Sequence, residues 1–174
     1  MAPTEAETIA DGHVHIRGQV RNKGAKVPRG FLTVASQAGI SHEIPEGHSG
    51  RLELAEWITN PEHPLTSRVM VNRIWKYLLG EGIVRTVDNF GKTGELPSHP
   101  KLLDHLAIQF TKNNWSIKSL TREIVLSKTY QLSSKTNDNS DPENRFFGRA
   151  HRKRLEAEAI RDTALHLSGQ FDPI

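Results

Sequence analysis

The chain has 174 residues, 36% of them hydrophobic and 25% charged, with no cysteine and a formal net charge of +3. That length and composition can bury a core without disulfides or metal and differ from those of disordered chains. The absence of cysteine excludes disulfides, thiolate zinc sites, iron–sulfur clusters, haem attachment through Cys and a Cys nucleophile, and so small a charge excess does not by itself point to nucleic acid.

In chain order, residues Met1–Gly12 read as a flexible start without the apolar run of a secretory leader. From His13 to Val20 the alternation puts Val14 and Ile16 on one strand face and His13 and His15 on the other. Asn22-Lys23-Gly24 signals a turn before a second short run towards Val27, and Phe31–Ala35 reads as a further strand. Gln37–Gly50 reads as loop. Residues 1–48 are too sparsely apolar to hold a core alone and are expected to be an extended, β-forming remnant of a preceding region.

From residue 49 the period becomes helical. Ser49 is placed to cap a helix with Leu52, Ala55, Trp57 and Ile58 on its apolar side, ending before Asn60-Pro61. A second helix from Pro64–Thr66 to Leu79 aligns Val71, Ile74, Trp75 and Leu78, and Gly80 stops it. Asn72, Arg73 and Lys76 interrupt its apolar run, so no membrane span is expected. Glu81–Pro97 is irregular yet carries Ile83, Val84, Val87 and Phe90, which predicts a loop pinned to the core. Pro100 opens a third helix with Leu102, Leu103, Leu106 and Phe110 on one stripe; Ser116 caps a fourth with Ile117, Leu120 and Ile124. Ser133–Asn144 reads as a polar surface loop. A last helix from Arg152 to Ser168 aligns Ala157, Ile160, Ala164 and Leu167 and ends at Gly169. The expected fold is mainly α, a compact bundle of about five helices with a small N-terminal β element.

Several phrases are more specific than periodicity demands. They include Gly50-Arg-Leu-Glu-Leu-Ala-Glu-Trp-Ile58, Pro64-Leu-Thr-Ser-Arg-Val-Met-Val-Asn-Arg-Ile-Trp75, Gly82-Ile-Val-Arg-Thr86, Asp88-Asn-Phe-Gly91, Pro97-Ser-His-Pro100, Trp115-Ser-Ile-Lys118 and Arg154-Leu-Glu-Ala-Glu-Ala-Ile-Arg-Asp162. Together they closely resemble the planctomycete PSD-type domain, a domain of unknown function, from Gly50 to Gly169. The resemblance implies a C-terminal domain, spanning residues 49–174 here, of larger exported proteins that carry a cytochrome-c-like region upstream. This chain has no Cys-x-x-Cys-His motif, so no redox role is carried over and no cofactor is expected. Because the family's domain continues beyond the helix that ends at Gly169, the chain reads as truncated at its C-terminus. The family supplies no catalytic residues to transfer.

The polar residues allow three readings. One gathers Arg68, Asn72, Arg73, Arg85, Asp88, His99, Glu158, Arg161 and Asp162 into a single pocket for an anion or sugar, as part of an enzyme. The competing reading, favoured here, makes the same groups a network of ion pairs that braces the loop against the helices. Glu156 and Glu158, two apart on a helix, point to different faces and are poorly placed for paired acid–base chemistry. Nine histidines raise the question of a metal, but no dense ligand set occurs in the sequence and none is expected. A third reading takes Arg149, Arg152, Lys153 and Arg154 as a basic patch for nucleic acid. Neither a Gly-x-Ser-x-Gly elbow nor the glycine spacing of a phosphate-binding loop is present. The leading expectation is an accessory or interaction domain whose partners are other domains of its parent protein.

Overall fold

The computed structural model describes residues 8–35, 43–135 and 140–172. Most of the expected flexible start, the first part of the Gln37–Gly50 loop, the Asn137–Asn139 stretch and the last two residues lie outside the described residues. The fold is mainly α: β1 (Gly12–His15), β2 (Lys23–Val27), α1 (Arg51–Thr59), α2 (Thr66–Leu79), α3 (Pro100–Lys112), α4 (Ile117–Val125) and α5 (Ala157–Leu167), with 3-10 turns at Ile16–Gly18 and Thr33–Ala35. Among the described residues no helix is long and apolar enough to cross a membrane.

The strands pair antiparallel, with Gly12 opposite Val27 and His13 opposite Lys26, and a register shift precedes His15 opposite Lys23. The first strand ends at His15 instead of reaching Val20. Arg17 and Gly18 adopt left-handed φ of 54° and 72°, and Ile16 N–H bonds the Asn22 carbonyl at 3.0 Å, so the reversal is built around Gly18. The Asn22–Gly24 turn signal is therefore misplaced, and the expected strand at Phe31–Ala35 is a 3-10 turn. Phe31 instead stacks on Trp57 at 5.4 Å, fastening the N-terminal segment to α1.

The core lies where α2, α3 and α4 meet. Val71, Trp75 and Leu79 of α2 pack with Leu103, Leu106, Ala107 and Phe110 of α3 and Leu120 and Ile124 of α4. Each large side chain buried this way contributes roughly 1.5–3 kcal/mol. The capping signals act as their chemistry suggests: Ser116 Oγ accepts from Ser119 N, Pro100 occupies the first turn of α3, and Gly80 leaves α2 at φ 96°. Between α3 and α4, Asn114 and Trp115 both take left-handed φ, and Trp115 meets Phe110 edge-on at 5.3 Å. The loop after α2 is pinned as expected, with Ile83 and Val84 buried.

Two helices depart from expectation. In α1 only Trp57 is buried, while Leu52 is 65% exposed, and Ser49 Oγ reaches Arg51 N from outside the left-handed N-cap Gly50. The last helix begins at Ala157, not Arg152, and has no buried residue; Ile160 and Leu167 on its apolar stripe are 50% and 82% exposed. Its periodicity is genuine, but no other part of the described chain covers it.

Candidate functional site

The nine residues of the predicted polar pocket are distributed over separate places. Arg68 reaches back along α2, as helical side chains do, and its Nε donates to Asp104 Oδ1 of α3 at 2.7 Å while Nη1 donates to the Pro64 carbonyl. Asn72, one turn later, is fully buried and bonds the main chain of Val84. Arg73 meets Asp88 at 3.4 Å on the surface. Arg85 bridges Glu81 at 3.3 Å and Glu143 at 2.8 Å, and these two carboxylates, Glu143 foremost, raise its guanidinium pKa further above its ordinary value. The His99 ring lies 6.0 Å from both Phe146 and Phe147, with Nδ1 3.0 Å from Ser98 Oγ. Glu158, Arg161 and Asp162 are together on outlying α5, where Arg161 pairs with Asp162 at 3.2 Å.

The predicted basic patch also divides. Arg149 turns inward, donating to the carbonyls of Asp141 at 2.9 Å and Pro142 at 2.6 Å. It closes a turn that begins inside the polar Ser133–Asn144 loop and runs on to Arg149. In that turn Asn144 is buried and bonds both the N–H and the carbonyl of Arg149. The Asp141 carboxylate accepts from Phe146 N and Arg145 N, which holds its pKa below the usual 3.8. The turn presents Phe147 to the core, 5.3 Å from Trp75. The Asp-Pro pair at 141–142, Asn144 and Gly148 are its local signals.

Arg152, Lys153 and Arg154 stay exposed. Lys153 and Arg154 form one side of a cleft of about 450 Å³ with Arg73, Lys76 and Tyr77 of α2 on the other. Lys153 Nζ donates to the Tyr77 carbonyl at 2.6 Å and lies 5.4 Å from the centre of the Tyr77 ring. It thereby satisfies one of the carbonyls that a helix leaves open at its C-terminus, where a cation is favoured. Four cations line this cleft against one carboxylate, Glu156. The Lys76 and Arg154 side chains make no hydrogen bond or ion pair with any described residue. Lys76 and Tyr77 were not singled out by the sequence; both belong to the solvent side of an amphipathic helix, and only its packing shows what faces them.

A second group was also missed. His63 Nδ1 accepts from Thr66 N at 3.2 Å and faces Thr66 Oγ1 at 2.9 Å, capping α2 from three residues upstream. Its ring meets Trp57 edge-on at 4.5 Å, and Nε2 is sealed without a hydrogen-bond partner. Burial pushes its pKa below the ordinary 6.5. Among the described residues no three His, Asp or Glu side chains converge as metal ligands would.

No curated protein and no solved structure matches the chain. One family model, described as PSD1, a protein of unknown function (DUF1553), matches residues 50–173, the stretch that contains α1 to α5. The chain therefore belongs to the PSD1 family of proteins of unknown function.

Proposed function

We propose that this chain is an accessory binding domain of a larger exported protein, and that it holds an anionic partner in the cleft between α2 and the segment leading into α5. The observation that carries the reading is the charge excess there: four cations line the cleft against one carboxylate, Arg73 is paired with Asp88, and the Lys76 and Arg154 side chains have no internal partner. Arg68 with Asp104, Arg85 with Glu143 and Arg145 with Glu95, by contrast, are occupied by the protein itself. The volume falls within the roughly 300–1,000 Å³ of ligand clefts.

The groups with displaced pKa values support binding over catalysis. They are Asp11, His63, Arg85 and Asp141, and each is accounted for by a structural hydrogen bond, ion pair or burial. None of them lines this cleft, whereas a catalytic site gathers its tuned groups around one cavity. The resemblance to planctomycete proteins with a cytochrome-c-like region supports a place beside other domains of one polypeptide, which are the natural partners.

Retention on immobilised polyglutamate and on heparin at low ionic strength tests the reading. Wild type should bind and elute as salt rises. Lys76→Ala with Arg154→Ala should elute earlier, while the charge-matched control Arg122→Ala with Lys128→Ala should elute like wild type. Equal elution of the two variants would remove the cleft from consideration.

A further inference from the structure

The same cleft has an unused main chain along one side. Residues 150–156 run into α5 as neither helix nor strand. The N–H groups of Arg152 to Glu156 and the carbonyls of Arg152 to Leu155 make no hydrogen bond with any described residue. Glu156 has extended dihedrals, φ −66° and ψ 151°. All five of these residues are exposed, and all but Arg152 line the cleft. Exposed, unpaired main chain beside a cleft is what an incoming extended peptide pairs with.

The side chains narrow the choice further. Leu155, Ala159 and the Tyr77 ring give the cleft an apolar floor, and Arg73, Lys76 and Arg154 stand around it. A single-stranded nucleic acid would stack its bases on successive aromatic platforms. The cleft offers Tyr77 alone, and Lys153 already covers that ring. An acidic sugar chain would use the cations but leave the apolar side chain of Leu155 unmatched.

Resting on the reading of this cleft as an anion site, we infer that its occupant is an extended acidic segment of a partner polypeptide carrying apolar residues between its carboxylates. The segment's main chain pairs along Arg152–Leu155. An apolar side chain settles against Leu155, Ala159 and Tyr77. Its carboxylates meet Lys76 and Arg154, which are unengaged, and Arg73, which exchanges Asp88 for the ligand.

Fluorescence anisotropy with the full chain tests this, using a labelled Glu-Leu-Glu-Leu-Glu peptide as probe. Three comparison probes are the Glu-Ser-Glu-Ser-Glu peptide, an analogue of the first peptide N-methylated on alternate amides, and oligo(dT) of similar charge. A tri- or tetragalacturonate of similar charge completes the set. The Leu-containing peptide should bind best. Its affinity should fall about tenfold or more in Lys76→Ala with Arg154→Ala, and several-fold in Leu155→Ser. The Ser-containing and N-methylated peptides should each bind several-fold more weakly. The three substituted residues, Lys76, Arg154 and Leu155, are exposed, and unchanged thermal melting of the variants confirms that they fold. Equal binding of all three peptides would overturn the peptide assignment while leaving an anion cleft in place. Tighter binding of oligo(dT) or galacturonate would overturn it in favour of that class. No binding by any probe at low salt would remove both the peptide and the anion reading.

Discussion

Asn72 and Val84 are joined as two paired strands would be: Asn72 Nδ2 donates to the Val84 carbonyl at 2.9 Å, and Val84 N–H donates to Asn72 Oδ1 at 2.9 Å. One buried side-chain amide thus satisfies both main-chain groups of a buried loop residue and pins the loop after α2 to the core. Replacing Asn72 by Leu should cost about 2–4 kcal/mol, because two buried polar groups lose their partners. Arg73→Ala, next along the helix, should cost no more than about 0.5 kcal/mol, since its pair with Asp88 is solvent-screened. Urea unfolding of both variants measures the contrast; similar midpoints would mean that Asn72 does not hold the loop.

Gly82 is required by the same pairing. A Cβ placed there would lie 2.4 Å from the Val84 carbonyl oxygen and 2.9 Å from Asn72 Nδ2. Neither neighbour can retreat without breaking the pair. Gly82→Ala should therefore destabilise by about 2 kcal/mol or more. Gly148→Ala, where a Cβ meets nothing within 4 Å, should be close to neutral. Paired thermal melts decide the matter.

The His63 cap predicts a pH dependence. Folding favours its neutral imidazole, because Nδ1 accepts from the first turn of α2 and burial opposes the charged form. The folded pKa therefore lies below the 6.5 of the unfolded chain, and between those two values the unfolded state binds more protons. His63's contribution is complete above 6.5 and is lost as pH falls through the folded pKa. Melting temperature should decline from pH 7.5 to pH 5.5 in wild type and decline less in His63→Asn, whose side-chain oxygen can still cap the helix. Parallel declines in the two proteins would assign the effect to another group.

The Asp141 turn should respond in a separate range. Its carboxylate is held below 3.8 by the N–H groups of Phe146 and Arg145, with Arg149 and Arg85 nearby. That stability is present above the unfolded pKa and is lost as pH drops through the lower folded value. Asp141→Ala removes both hydrogen bonds and should expose the segment from Asp141 to Arg149 to hydrogen exchange at neutral pH. Unchanged protection at Phe146 and Phe147 would show the turn to be held by Asn144 and Arg149 instead.

Burial separates α5 from the other helices in a measurable way. Leu106→Ala or Ile124→Ala, within the core, should each cost about 2–5 kcal/mol. Ile160→Ser and Leu167→Ser change exposed positions and should shift stability by less than about 0.5 kcal/mol. A large loss from either α5 substitution would mean that this helix packs on the bundle in solution.

Local spacing was enough to locate the helical bundle. The recurrence of Val71, Ile74, Trp75 and Leu78 and of Leu102, Leu103, Leu106 and Phe110 marks faces that pack on the core, and Ser116, Pro100 and Gly80 mark ends by chemistry that acts within a few residues. Even the apolar loop at Ile83–Val84 could be recognised as pinned, because a polar loop has no use for such side chains. The polar partners were a different problem. Arg68 meets Asp104 across 36 residues, Arg85 meets Glu143 across 58, and Lys153 meets Tyr77 across 76, and no period connects such positions. Periodicity likewise marks the apolar stripe of α5 but cannot say whether anything in the chain will cover it. Which carboxylate each arginine finds, and which cations are left to form a cleft, depend on how the helices are placed in space, and that placement is decided by packing between elements distant in the chain.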